Sequence, residues 1–315
     1  MRGKRPVIYP YKRRFLVLRE PLGKYKVTVC EYDTDYIDGK WKRKIPMMFF
    51  YPSDSGNKMC PYKDAAYQIE KSKGNETDNG VKTYCYTDGT LLSEKEKYPV
   101  VIYSHGLKGF QMESTVLCND LASNGYIVVS IGHPYGSGAV TYTDGTIFIE
   151  PDDGDKEKTL QKLGLLWEED ISFVIDYLQK MQNGQIENCF SGRLDIENGV
   201  NLLGVSFGGC CSIGTVLKDN RAKCAINLDG SLFIDLEPVY TDKPILVLCN
   251  PLNYKAHSKL KKIGYPQLKI KRFRHNHWEF SDGIYFSDRG KKNRNWSNEV
   301  SEKRANLCLE FLSLC

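Results

Sequence analysis

The stretch Asn201-Leu202-Leu203-Gly204-Val205-Ser206-Phe207-Gly208-Gly209 decides the fold. It reads as an apolar strand, a tight turn carrying one serine, and the start of a helix that continues through Cys210-Cys211-Ser212-Ile213-Gly214. Gly-x-Ser-x-Gly between a strand and a helix is the pattern of a nucleophile elbow. A serine hydroxyl is a weak nucleophile at neutral pH, so it needs a base beside it and a helix N-terminus that favours developing negative charge. Gly204 and Gly208 lack the Cβ atoms that would collide where strand and helix approach, and Gly209 adds clearance for close helix packing.

Outward from the elbow, residues from Pro99 onward form short β-branched runs separated by helical segments, the texture of parallel strands buried on both faces. Six runs qualify: 100–103, 127–131, 200–203, 225–228, 245–248 and 268–273. Between them, Trp167, Ile171, Val174, Ile175 and Leu178 recur at three- and four-residue spacing. Val300, Leu307, Leu312 and Leu314 mark a C-terminal helix. Before Pro99, Tyr25, Val27 and Val29 alternate, as do Ile45, Met47, Phe49 and Tyr51, which predicts an antiparallel pair joined at Asp38-Gly39. The expected architecture is α/β, with a mostly parallel eight-stranded sheet and helices on both faces. Residues 1–315 read as one domain, with a polar insertion at about 52–97 and an acidic lid or pocket segment at about 139–162.

A serine on such an elbow requires an acid and a histidine later in the chain, each at the C-terminal end of a strand. Asp229 ends the strand-like run Ala225-Ile226-Asn227-Leu228, the first after the elbow helix. At the end of the following run stand Cys249 and Asn250, so no carboxylate is present there. Asp229-Gly230 is also an ordinary turn pair, the plainer reading of the same residues. Two histidines follow the last run, in Phe273-Arg274-His275-Asn276-His277-Trp278-Glu279-Phe280-Ser281-Asp282. His277 is the preferred base, and His275 is a neighbouring donor or a strand-end residue. His257 stands among Lys255, Lys259, Lys261 and Lys262, which predicts a solvated helix. Ser104-His105-Gly106-Leu107-Lys108-Gly109 follows the run 100–103, where the loop supplying one oxyanion-hole amide belongs. The backbone N–H groups of Leu107 and Phe207 are the expected pair of donors.

The chain has 315 residues, of which 41% are apolar, and a net charge of +5 from 44 basic and 39 acidic residues. That charge is spread along the chain and predicts no nucleic-acid partner. Its one basic cluster, Arg2, Lys4, Arg5, Lys12, Arg13 and Arg14, is a solvated terminus or a peripheral membrane contact. Eleven cysteines are scattered without a Cys-x-x-Cys, which predicts reduced thiols, Cys210 and Cys211 included, and no metal or cofactor. Neither a signal-like apolar segment nor a membrane-length run stands out, so the expected compartment is the cytoplasm.

The chain resembles the platelet-activating-factor acetylhydrolase family of α/β-hydrolases, the group of the intracellular type II and plasma lipoprotein-associated phospholipase A2 enzymes with their bacterial relatives. The resemblance is carried by Phe50-Tyr51-Pro52-Ser53, by the segment from Tyr98 to Leu107, by Asp120 to Val128, by Gly204 to Gly209, by Asn227-Leu228-Asp229-Gly230, and by His277-x-x-Phe280-x-Asp282. It implies an α/β-hydrolase fold with Ser206, Asp229 and His277 as the triad and Leu107 and Phe207 as the oxyanion hole. It also implies a small-molecule or lipid ester substrate with a short acyl group. Three departures stand out: Val205 replaces the histidine commonly before the serine, His133 to Gly138 lacks the usual His-Arg-Asp-type run, and 52–97 is divergent. The same residues would serve an amidase, a peptidase or an acyltransferase. A non-catalytic scaffold would be marked by a lost triad member, and none is lost.

Overall fold

A computed structural model describes residues 16–36, 43–75, 80–149, 159–231, 241–258 and 268–315. Its central sheet contains β1 (Lys26–Asp33), β2 (Pro46–Ser53), β3 (Tyr98–Ser104), β4 (Ile127–Ile131), β5 (Val200–Val205), β6 (Ala222–Leu228), β7 (Ile245–Cys249) and β8 (Leu268–Arg272). They lie in the order β8-β7-β6-β5-β3-β4-β2-β1. From β3 to β8 every neighbouring pair is parallel, while β2 runs antiparallel to both β1 and β4. A two-residue strand, Leu194–Asp195, adds to the start of β3. This is the α/β-hydrolase architecture expected from the sequence. The Asp38-Gly39 turn lies outside the described residues.

The period of two along each inner strand separates two cores. Val101, Tyr103, Val128, Leu203, Val205, Ile226, Leu228, Leu246 and Leu248 face one side, packed against α2 (Thr115–Ser123), which follows the short α1 (Ala65–Ser72) in the chain, and a C-terminal helix, Arg294–Leu312. Val100, Ile102, Val129, Leu202, Ala225, Ile245 and Val247 face the other, under α3 (Leu160–Gln182) and α4 (Phe207–Lys218). Continuous burial explains the unbroken β-branched runs in the sequence. No helix among the described residues is long and apolar enough to cross a membrane.

Three local expectations change. The C-terminal helix ends at Leu312 and buries Val300, Ala305, Cys308, Phe311 and Leu312, while Leu314 lies beyond it and is exposed. A stripe spaced three or four residues apart meets the sheet better than the seven-residue spacing of Val300, Leu307 and Leu314. Residues 52–97 are less polar in effect than in composition, because Cys60, Tyr62, Val81 and Cys85 enter one core and Leu92 the other. His257 is fully buried rather than solvated, and burial pushes its pKa down. Within 139–162, Val140–Thr141 pairs antiparallel with Ile147–Phe148 and Thr159 caps α3, whereas 150–158 lie outside the described residues.

Leu203 lies in the middle of the sheet with no exposed surface. Leu203→Ala should cost about 3 kcal/mol of unfolding free energy by denaturant titration, from lost burial plus the cavity left behind. A loss under about 1 kcal/mol would mean that this core is not packed as described.

Candidate active site

The parallel register Val205↔Leu228 ends β5 and β6 side by side, so that Ser206 and Asp229 leave the sheet as neighbours. The Ser206 amide donates to Leu228 O at 2.8 Å, and the Asp229 amide donates to Leu248 O at 2.7 Å. Ser206 adopts φ 54°, ψ −120°, and Asp229 has φ 56°. A non-glycine residue in this region is strained and persists only where its surroundings leave no alternative. Here they leave none. A Cβ on Gly208 would stand 2.3 Å from Ser104 O, and one on Gly230 would stand 2.0 Å from Ser206 O. Gly208 and Gly230, which follow Ser206 and Asp229, are therefore demanded by backbone contact.

Asp229 is 1% exposed and its carboxylate accepts four hydrogen bonds. Oδ1 takes the Asn250 amide at 2.8 Å and Asn253 Nδ2 at 3.0 Å. Oδ2 takes Asn250 Nδ2 at 2.7 Å and His277 Nδ1 at 2.8 Å. A carboxylate has only acceptors, so His277 carries a proton on Nδ1. Ser206 Oγ has no hydrogen-bond partner among the described residues.

Asn250 and Asn253 were not signalled by the sequence reading, which notes only that no carboxylate ends β7. Asn250 does two jobs there. Its Nδ2 clamps Asp229, while its Oδ1 accepts from the amides of Leu252 and Asn253 at 2.9 and 3.0 Å, capping α5, Pro251–Ser258. An Asn-Pro at a strand end, before a helix, is the one signal that would have pointed to such a cap.

His277 opens a single helical turn, His277–Phe280, held at both ends. Asp282 receives the Val116 amide at the N-terminus of α2 at 3.2 Å, and the Asp282 amide donates to Glu113 O at 2.8 Å. Arg304 of the C-terminal helix donates to Glu279 O at 3.2 Å and Ser281 O at 3.3 Å. His275 instead pairs with Glu279, 3.0 Å away, inside the same turn. Of the two histidines, the structure brings His277, not His275, to Asp229.

The loop after β3 lies across from the elbow, with the Gly106 Cβ position 3.4 Å from Ser206 Cβ. The Leu107 N–H has no hydrogen-bond partner among the described residues. Its neighbours are fixed: Gly106 N donates to Glu113 Oε1 at 2.6 Å, and Lys108 N, on a residue with φ 61°, donates to Gly136 O at 2.5 Å. His105 donates from Nδ1 to Gly106 O at 2.7 Å and accepts Ser137 Oγ on Nε2 at 2.8 Å. Burial first and His133 second push its pKa down to about 3, so the ring is neutral. Phe207, first residue of α4, packs its ring edge-on against Trp167 at 4.9 Å.

Behind this loop stands a second Ser-His-Asp array that the sequence did not suggest. Ser104 Oγ lies 2.6 Å from His133 Nε2, and His133 Nδ1 lies 2.8 Å from Asp170 Oδ2, with Arg43 on the far side of Asp170. Ser104 and His133 have no exposed surface, and His133 is stacked on Trp167 at 3.8 Å. Buried on every side, the array anchors the segment from His133 to Gly138. Among the described residues no cluster of His, Cys, Asp and Glu could hold a metal ion.

The profile of the family described as "Platelet-activating factor acetylhydrolase, isoform II" matches residues 17–271. The chain is 29% identical over 193 residues to the "Platelet-activating factor acetylhydrolase" of Cavia porcellus, covering 55% of this chain and 44% of that protein. With the protein of the same name from Canis lupus familiaris it shares 26% over 281 residues, 76% of this chain and 61% of the other. It thus spans less than two thirds of these relatives. A "Probable 1-alkyl-2-acetylglycerophosphocholine esterase" of Arthroderma benhamiae is 25% identical over 143 residues, 44% of this chain and 32% of that one. Among solved structures, a ferulic acid esterase from Streptomyces cinnamoneus superposes with TM-score 0.77 at 20% identity, over 95% of this chain and 92% of the other. At that identity the likeness shows the shared fold.

Burial is the main cause that raises the Asp282 carboxyl to about 8, against the opposing charge of Arg304 and the α2 amides. A raised folded-state pKa contributes stability that is full below the unfolded value and is lost as pH rises through about 8. Asp282→Asn stays neutral and can still accept the Val116 amide. Its thermal midpoint relative to the parent should therefore climb between about pH 5 and pH 9. A difference that does not change with pH would contradict this.

Proposed function

Because the chain belongs to the platelet-activating factor acetylhydrolase, isoform II family, we propose that it is a serine carboxylic-ester hydrolase acting through Ser206, His277 and Asp229. The observation that carries this reading is the 2.8 Å bond from His277 Nδ1–H to a four-fold hydrogen-bonded Asp229, one strand from a strained elbow serine. In this mechanism His277 Nε2 takes the proton of Ser206 Oγ as the oxygen attacks the ester carbonyl. Asp229 holds the tautomer and stabilises the imidazolium that forms. The tetrahedral oxygen turns toward the N–H groups of Leu107 and Phe207, the second of which opens α4, where the helix dipole also favours negative charge. The leaving alcohol takes the proton from His277, and water then hydrolyses the acyl-enzyme by the same route.

A substrate with an apolar portion fits the surroundings. Leu107, a site residue itself, is 39% exposed, and Leu252 at 88% and Trp278 at 75% adjoin Asn253 and His277 in the chain. These side chains support a short acyl group on a lipid or other bulky alcohol, in keeping with what the relatives' names describe for those proteins.

Hydrolysis of a p-nitrophenyl ester series from acetate to decanoate tests the reading. Activity should be greatest at the short end, and Ser206→Ala should lower kcat by about 10⁴-fold or more. Asn250→Ala, which removes one of the four donors to Asp229 and the cap of α5, should lower kcat roughly 10- to 100-fold with little change in KM. Full activity in Ser206→Ala, or matched anilides cleaved faster than esters, would contradict the assignment.

A further inference from the structure

Six of the eleven cysteines meet in pairs that their spacing in the chain does not disclose. Cys60 and Cys85 face each other across an antiparallel bridge: Met59 pairs with Tyr86, and the Cys60 amide donates to Cys85 O at 2.8 Å. Opposed residues of that kind have Cα atoms about 5.5 Å apart, within disulfide range. Cys30 and Tyr32 share one face of β1, where the Tyr32 hydroxyl accepts the Cys189 amide at 3.3 Å and lies 3.7 Å from Cys189 Sγ. The Cys189 and Cys30 thiols are close enough to shift one another, Cys189 down and Cys30 up. Cys224 of β6 and Cys315 shift one another in the same way, Cys224 up and Cys315 down.

The partition by exposure points the same way. Cys189 and Cys315 are the exposed cysteines, and each touches a thiol further inside. Cys118, Cys210, Cys211, Cys249 and Cys308 are all buried. Pairing the six would leave no exposed thiol, and each link would tie a peripheral segment down: the turn after α3 to the edge strand, the 52–97 region across itself, and the C-terminus to β6. Links that close long stretches of chain are those expected to constrain the unfolded state most.

We propose that Cys30–Cys189, Cys60–Cys85 and Cys224–Cys315 are disulfide bonds of the mature protein, formed by exchange with a small-molecule or protein disulfide. The reduced thiols expected from sequence spacing are then the precursor form. At the first pair, the Cys189 thiolate attacks one sulfur of glutathione disulfide and releases one glutathione thiolate. Cys30, on losing its proton, then displaces the second glutathione from the mixed disulfide. Two protein thiols are oxidised and one glutathione disulfide is reduced to two glutathiones. Hydrogen bonding from Cys30 and Tyr32 lowers the Cys189 pKa to about 6 and makes it the attacking member.

The full chain, folded and held in a glutathione redox buffer of oxidising poise, should lose about 6 Da relative to its reduced form by intact mass. Peptide mapping without reduction should show the three named links. In Cys189→Ser, Cys30 should be alkylated by iodoacetamide while the other two links remain. Alkylation of all six in the parent protein would overturn the proposal. So would links that join other cysteines, or a Cys30 that finds a different partner in the variant.

Discussion

The backbone of Ser206 is the constraint on which the rest of the structure turns. A non-glycine residue at φ 54°, ψ −120° carries strain on the order of 1–3 kcal/mol, and that conformation must be held by force from outside. The force comes from the centre of the sheet. β5 is flanked by β3 and β6, so the strand cannot shift, and the start of α4 is jammed against the carbonyls of Ser104 and His105. Because the same carbonyls belong to the segment leading into Leu107, the elbow and the amide opposite it are positioned by a single contact surface. Trp167 extends that surface, touching Phe207 of the elbow, His105 of the loop and His133 behind it.

The histidine is secured by a different means. His277 lies on a short turn, which has little hydrogen bonding of its own, and its place is set by hydrogen bonds to two helices. Asp282 at the head of α2 and Arg304 of the C-terminal helix hold the turn from either side, while Asp229 holds the ring. Glu113 joins the two halves of the site: its carboxyl binds Gly106 N, its carbonyl binds the Asp282 amide, and burial lifts its pKa to about 7. The loop after β3 and the histidine turn are thereby fastened to the same residue.

Much of this was legible in the chain. Strands buried on both faces have to be continuous and β-branched, so 127–131 and 245–248 announce themselves, and a serine between glycines at a strand end has few other uses. Chain order singles out Asp229 and His277, and the structure brings those two side chains together. What stayed hidden depends on partners distant in sequence. His257 looks solvated because its neighbours are lysines, yet the helix turns it inward. Asn250 has no periodicity to betray it, and the Ser104-His133-Asp170 array and the cysteine pairs join segments that only the fold brings together. The basic cluster at 2–14 lies outside the described residues.

The central claim is that Ser206 is the nucleophile presented by this strained turn. Its most direct test is the site of covalent modification by a fluorophosphonate, read by peptide mass spectrometry on the native chain. The account predicts one label, on the peptide carrying Ser206, absent from His277→Ala and from protein unfolded before exposure. Label on another residue, or equal labelling of the unfolded chain, would contradict it.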